Sequence, residues 1–376
     1  MSCQRKNSHR RMWRLWAPWD TASACCGSGR CGDVRGRVRL RVERLEDLVM
    51  PTTATSFLVA SGAAAGAQPL VKLYEGNTGA LVRDIMAYDP SFRGGVNVAL
   101  ADLNADGIPD LVTGPGVGGG PHVRAFDGLT GAVILNFFAY DPAFRGGVSV
   151  AAGTLDGRSV IVTGAGHGGG PHVKVFDTAG GERLGFMAYD LQFRGGVSVA
   201  IGDVRGDRRG AIVTAAGSDG GPHVKVYDAS ASQLISEWMA YSTDFRGGVY
   251  VAVADLNGDR LGEVVTGAGV GGAPHVKSFQ GTTGAEQLSF MAGSLDLRGG
   301  VMVGAVRMCG CPTGPADIVT VVSDGGPSTV RSFDGETCEP MARTAATLTG
   351  VGMGLGSVAG NIAAPEFDPG CVLPAK

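Results

Sequence analysis

The chain has 376 residues and a formal net charge of −3, and its 63 glycines show no three-residue period and sit among plentiful aliphatic residues, which excludes collagen and argues against disorder. Glycine is costly inside helices and is needed where φ is positive, so this load points to an all-β chain with many tight turns. Residues 51–376 carry a net −9 and the first fifty a net +6; the acidic body offers no clustered cations to phosphate, no nucleic-acid partner is expected, and no apolar run is long enough to predict a transmembrane span.

Residues 1–50 are basic, do not repeat, contain Cys3, Cys25, Cys26 and Cys31, and lack the apolar core of about 7 to 15 residues of a standard signal peptide. They are expected to be a leader outside the fold. From 51 to 361 the chain repeats itself. Phe-Arg-Gly-Gly-Val starts at Phe92, Phe144, Phe193 and Phe245, with a fifth copy at Leu297, at spacings of 52, 49, 52 and 52 residues. A second signature places Pro-His at Pro121-His122, Pro171-His172, Pro222-His223 and Pro274-His275.

Within one unit the alternating, β-branched segments predict strand A over 96–100, B over 110–113, C over 122–126 and D over 132–140. Four strands in each unit fit a propeller blade, whereas ankyrin or tetratricopeptide units need longer helical patterns. Strand A carries a small residue at one fixed place, Ala99, Ala151, Ala200, Ala252 and Gly304; crowding at a central axis explains it, which puts A innermost. The chain enters with B, C and D only (58–88), runs through five full units, and leaves with an A-like segment at 350–355. Joining both ends closes an all-β, six-bladed β-propeller of four-stranded blades; seven blades would need further strands in the N-terminal region and the tail 362–376. A closed ring satisfies its edges and predicts a monomer. Cys309, Cys311, Cys338 and Cys371 near the C-terminus fit one or two disulfides if the protein is exported.

The A-to-B loop of the first full unit reads Asp102-Leu103-Asn104-Ala105-Asp106-Gly107-Ile108-Pro109-Asp110. Oxygen side chains at its first, third, fifth and ninth positions, with the Ile108 carbonyl, are what a hard cation such as Ca2+ collects from one short loop. A second copy offers Asp255, Asn257, Asp259, the Leu261 carbonyl and Glu263, but has Arg260 where the first loop has Gly107, so Arg260 is expected to strain it. A third copy keeps Asp203 and Asp207 and loses two ligands to Arg205 and Ala211. Two calcium sites are expected; the competing reading is a pair of Asx turns.

These loops between strands, followed by turns such as Val162-Thr163-Gly164-Ala165-Gly166, resemble FG-GAP repeat proteins, the family that includes the integrin α-subunit propeller. The resemblance covers about residues 55–361. It implies calcium in the A-to-B loops and interaction surfaces on the opposite face, although integrin propellers have seven blades. In addition, the segment from Arg39 to Pro51 resembles the Arg-Leu-Glu leader ahead of secreted repeat proteins of planctomycete bacteria, which implies a secreted or cell-surface protein.

On the face opposite the loops, Arg93, Arg145, Arg194, Arg246 and Arg298 are expected to form a ring with His122, His172, His223 and His275. The ring would either bind an acidic glycan or protein or hold turns together, each Arg pairing with a carboxylate such as Asp89, Asp141 or Asp190. His167 does not repeat and reads either as a solvated side chain in a glycine turn or as a functional one. Nearly every prominent polar residue belongs to the repeat, and no unique catalytic constellation stands out. A calcium-stiffened binding or adhesion scaffold is therefore expected. A propeller lyase or hydrolase acting on polysaccharide or lipid, and a passive matrix component, are the alternatives.

Overall fold

The computed structural model describes residues 58–75, 80–306, 314–322, 329–341 and 353–354. The leader, the tail 362–376, both predicted domain boundaries and every cysteine except Cys338 lie outside the described residues.

Strands alone make up the regular structure of the described residues, in six antiparallel sheets. Blade 2 shows the unit: A (Val96–Ala101), B (Asp110–Pro115), C (His122–Phe126) and D (Val133–Phe138), each paired with the next. Burial falls from axis to rim and reflects composition. B is buried throughout, C alternates, and D exposes side chains such as Val133 and Phe138. Strand D is shorter than the sequence pattern suggests, because the C–D register shifts between Ala125 and Phe126 and strand pairing ends at Phe138. The chain then turns through Ala139, whose N–H donates to Pro121 O (2.8 Å).

Blades 3, 4 and 5 repeat this with A strands Val148–Leu155, Val197–Gly202 and Val249–Ala254, and blade 6 pairs Val301–Val306, Asp317–Val322 and Thr329–Phe333. Blade 1 is assembled from both ends of the chain: B (Leu58–Ala63), C (Leu70–Glu75) and D (Leu81–Met86) come first, and Met353–Gly354 adds the A strand, pairing Gly62 with Gly354 and Ala63 with Met353. The ring therefore has six blades, as the lone terminal segment predicts.

Separate apolar clusters join each blade to the next. Ala99 packs with Val148 and Val150, Ala151 with Val197 and Val199, Ala200 with Val249 and Val251, and Ala252 with Val301 and Val303. The small residue of each A strand thus makes room for the two valines of its neighbour. Val59 and Tyr74 of blade 1 meet Val306, Val319 and Val321 of blade 6, completing the circle.

Polar staples repeat at the same joints. The hydroxyls of Tyr88, Tyr140, Tyr189 and Tyr241 donate to the carbonyls of His122, His172, His223 and His275 in the following blade (2.8 to 2.9 Å), and each lies beside a buried threonine hydroxyl there. Backbone N–H groups of Gly66, Gly118, Gly168, Asp219 and Gly271 donate to the carbonyls of Arg93, Arg145, Arg194, Arg246 and Arg298 across the same joints (2.7 to 2.9 Å). The paired glycines of the Arg-Gly-Gly signature are required here: Gly95 holds φ +86, and a Cβ on Gly94 would collide with the Val117 carbonyl.

Candidate metal loops and the turn face

In a four-stranded meander, A–B and C–D turns share one end of the blade, and B–C and D–A turns share the other. The Asp102 loop is wound around its own backbone. Asp102 Oδ1 accepts from Ala105 N (2.7 Å) and Asp106 N (3.2 Å), and its Oδ2 accepts from Gly107 N (2.9 Å). Asn104 Oδ1 accepts from Asp106 N (2.9 Å), and Asp106 Oδ1 from Ile108 N (2.7 Å). Asp110 opens strand B with 0% exposure, its two oxygens taking Leu103 N (2.9 Å) and Gly128 N (3.0 Å). Burial raises its carboxyl above the usual range and the Asp106 charge adds to this, against the pull of the backbone bonds.

The second loop has the same winding. Asp255 accepts from Gly258 N (2.7 Å) and Arg260 N (3.0 Å), Asn257 from Asp259 N (2.8 Å), and Asp259 from Leu261 N (2.7 Å). Glu263 is 1% exposed, accepts from Leu256 N (2.8 Å) and Asn257 Nδ2 (3.2 Å), and is pushed up to about 7 by burial and then by the charges of Asp259 and Asp255. The expectation that Arg260 sets this loop apart by strain does not hold. Each loop carries one non-glycine with positive φ, Ala105 (64°) in the first and Arg260 (70°) in the second, opposite Gly258 and Gly107 at the exchanged positions.

Among the described residues no three Asp, Glu, His or Cys side chains already converge as a metal cluster; the oxygens face loop N–H groups. A carboxylate oxygen bonded to one N–H keeps a second lone pair, and the donor set is all oxygen, as calcium requires. The residues present therefore fit a hard cation chemically: each loop surrounds a buried carboxylate with further carboxylates and with no lysine or arginine bonded to it. Blade 4 shows the contrast. There Asp203 again accepts from its loop, but Arg209 Nε binds Asp156 of blade 3 at 2.7 Å, so a guanidinium supplies positive charge at that joint.

One acidic residue was missed in the sequence. Asp127, in the C–D turn at this end, approaches Asn104 Nδ2 with its Oδ2 (3.0 Å), as does Asp106 (3.0 Å). Its signal was a recurring aromatic-Asp pair, Phe126-Asp127, Phe176-Asp177, Tyr227-Asp228 and Phe333-Asp334, which blade 5 replaces with Phe279-Gln280.

At the opposite end the five arginines are exposed. Arg93 Nη1 donates to Pro90 O (2.5 Å) and Phe92 O (2.8 Å), Arg145 Nη1 to Pro142 O (2.5 Å) and Phe144 O (2.8 Å), and Arg194 Nη1 to Leu191 O (2.5 Å) and Phe193 O (2.9 Å). Arg246 and Arg298 repeat the pattern on Thr243, Phe245, Leu295 and Leu297. Asp89, Asp141 and Asp190 are bonded instead to the N–H two residues on (2.8 Å each). Each guanidinium thus caps its own turn through one nitrogen. The histidines reach across to strand D, His122 to Asn136, His223 to Glu237 (3.0 Å) and His275 to Ser289 (2.8 Å). Burial, followed by Lys174, Lys225 and Lys277, lowers the pKa of His172, His223 and His275, so the fixed positive charge of the ring comes from arginine.

No family model matches the chain, and no curated protein matches it. Among solved structures it is similar to a Bacteroides caccae protein of unknown function (13% identity, TM-score 0.48, covering 76% of this chain and 93% of that one). It is also similar to TolB from Acinetobacter baumannii (15%, TM-score 0.46, covering 77% and 64%) and to the exotype rhamnogalacturonan lyase YesX (14%, TM-score 0.40, covering 77% and 56%). The chain thus spans less than two thirds of the length of the last two, and at these values no activity passes from them to this protein.

Proposed function

We propose that this chain is a calcium-binding propeller of the FG-GAP type that serves as a secreted or cell-surface binding scaffold. The observation that carries the reading is the pair of A–B loops in which Asp110 and Glu263, both buried, sit among Asp102, Asn104 and Asp106 or Asp255, Asn257 and Asp259 with no lysine or arginine bonded to either. A divalent ion relieves that repulsion and replaces lost hydration with oxygen ligands. Export follows from the leader resemblance, and a calcium-rich compartment is where a loop of modest affinity is filled.

The ligand-bearing face in this reading is the arginine ring, which leaves Nε and Nη2 of each guanidinium for carboxylates or sulfates of an acidic glycan or protein. Thermal unfolding with calcium and with chelator tests the scaffold reading. Calcium near 1 mM raises the melting temperature by a few degrees, consistent with about 0.4 to 1.4 kcal/mol per site by mass action, and Asp106→Ala or Asp259→Ala each removes about half of the response. A melting temperature indifferent to chelator counts against it.

A further inference from the structure

One position of the A strands changes in chemical character from blade to blade. Their paired valines (Val148 and Val150, Val249 and Val251, and their equivalents) are buried between blades, whereas the residue between them is Asn97, Ser149, Ser198, Tyr250 or Met302. All five line a cavity of about 380 Å³ at the axis, walled further by turn glycines. Asn97 Nδ2 donates to Val148 O (2.7 Å), leaving its Oδ1 as an acceptor. Ser149 Oγ accepts from Val199 N (3.3 Å), leaving its O–H to donate. The hydroxyls of Ser198 and Tyr250 have no partner among the described residues.

The mouth of the cavity breaks the repeat as well. Its B–C turns present Val117, His167, Ser218 and Val270, each followed by glycine except in blade 4, where Asp219 follows Ser218. Asp219 holds φ +66°, in the left-handed region where Gly118, Gly168 and Gly271 sit at 84° to 90°. Its carboxylate lies 3.7 Å from His167 Nε2 of the preceding blade, with both side chains largely exposed (81% and 61%). Aspartate is among the few non-glycine residues that adopt this region readily, so the turn keeps its shape while the mouth gains a carboxylate.

No lysine or arginine lines the cavity, so an anion finds no counter-charge inside, and burial raises the Tyr250 pKa so that its hydroxyl remains a neutral donor. We propose that the axial cavity binds a small neutral polyhydroxylated ligand, the terminal residue of a saccharide, held by Asn97, Ser149, Ser198 and Tyr250 and met at the mouth by His167 and Asp219. This rests on the reading of the chain as a binding scaffold, but not on calcium, whose loops lie at the other end of the blades.

The intact chain is titrated with a panel of neutral methyl glycosides by saturation-transfer NMR, once in calcium and once in chelator. At least one glycoside binds in both buffers. Affinity falls about fivefold in Tyr250→Phe, the loss expected for one hydrogen bond, and binding vanishes in Ser198→Trp, which fills the cavity. The double variant His167→Val, Asp219→Gly restores the repeat seen at Val117-Gly118 and Val270-Gly271, melts no lower than the parent and binds more weakly. Should Ser198→Trp fail to fold, Tyr250→Phe decides, and unchanged affinity overturns the proposal. Absence of binding in both buffers also overturns it, as does binding that a folded Ser198→Trp leaves intact. Binding in calcium alone overturns the axial site while leaving the calcium reading standing.

Discussion

Glu263 shows what a single buried carboxylate does to this fold. Its folded pKa is raised from 4.5 to about 7, so without a cation its contribution to stability is fully present below the unfolded value and is lost as pH rises through about 7. His172, His223 and His275 run the other way, because their lowered pKa values favour the fold above the ordinary imidazole range and lose that stability as pH falls. Comparing the parent with Glu263→Gln separates the two. In chelator, urea denaturation finds the variant more stable by about 1 to 3 kcal/mol at pH 8 and little different at pH 5. In saturating calcium at pH 8 the order reverses, because the variant has lost a ligand. Equal stability of the two proteins at both pH values would show that the buried charge does not govern this loop.

At the scale of strands and turns, the sequence was most informative where the repeat constrains packing. Strand C is found at His122–Phe126 as expected, and the small residue of strand A meets the neighbouring valines. The staples were not legible from pattern alone. Ala-Tyr is plainly repeated, but only the ring brings Tyr189 Oη to His223 O (2.9 Å) and Thr214 Oγ1 (3.2 Å) of its own following blade. Tyr189→Phe leaves that carbonyl and hydroxyl buried with one partner fewer, and equilibrium denaturation should find a loss of about 1 to 2 kcal/mol. A variant as stable as the parent would mean that the tyrosines pack without stapling. In the loops, the oxygen positions could be read directly, whereas the burial of Asp110 beside an exposed Asp106 depends on where strand B enters the sheet. Positions that break the repeat, Asp219 and Tyr250 among them, were hidden because alignment of the chain with itself emphasises what recurs.

For the whole molecule, closure was legible from a single leftover segment, since five complete units flanked by three strands and one strand make a ring of six. Its physical consequence is an edge that exists only when the ends part. A chain ending at residue 348 lacks Met353–Gly354 and leaves Leu58–Ala63 unpaired on its axial side; exposed strand edges recruit other chains. Stability falls by several kcal/mol and oligomers form in size-exclusion chromatography, whereas an unchanged melting curve with a monomer peak would refute closure as a source of stability. The intact ring also sets the two faces apart, with paired acidic loops at one end and arginines around an axial cavity at the other. The claim on which the functional account depends is that the loops hold calcium. Isothermal titration of the metal-stripped chain with calcium is its most direct test: the account predicts saturable heat with dissociation constants of about 10⁻⁴ to 10⁻³ M, from two sites, reduced to one by Asp106→Ala or by Asp259→Ala. Absence of saturable heat at millimolar calcium, or heat unaffected by both substitutions, would contradict it.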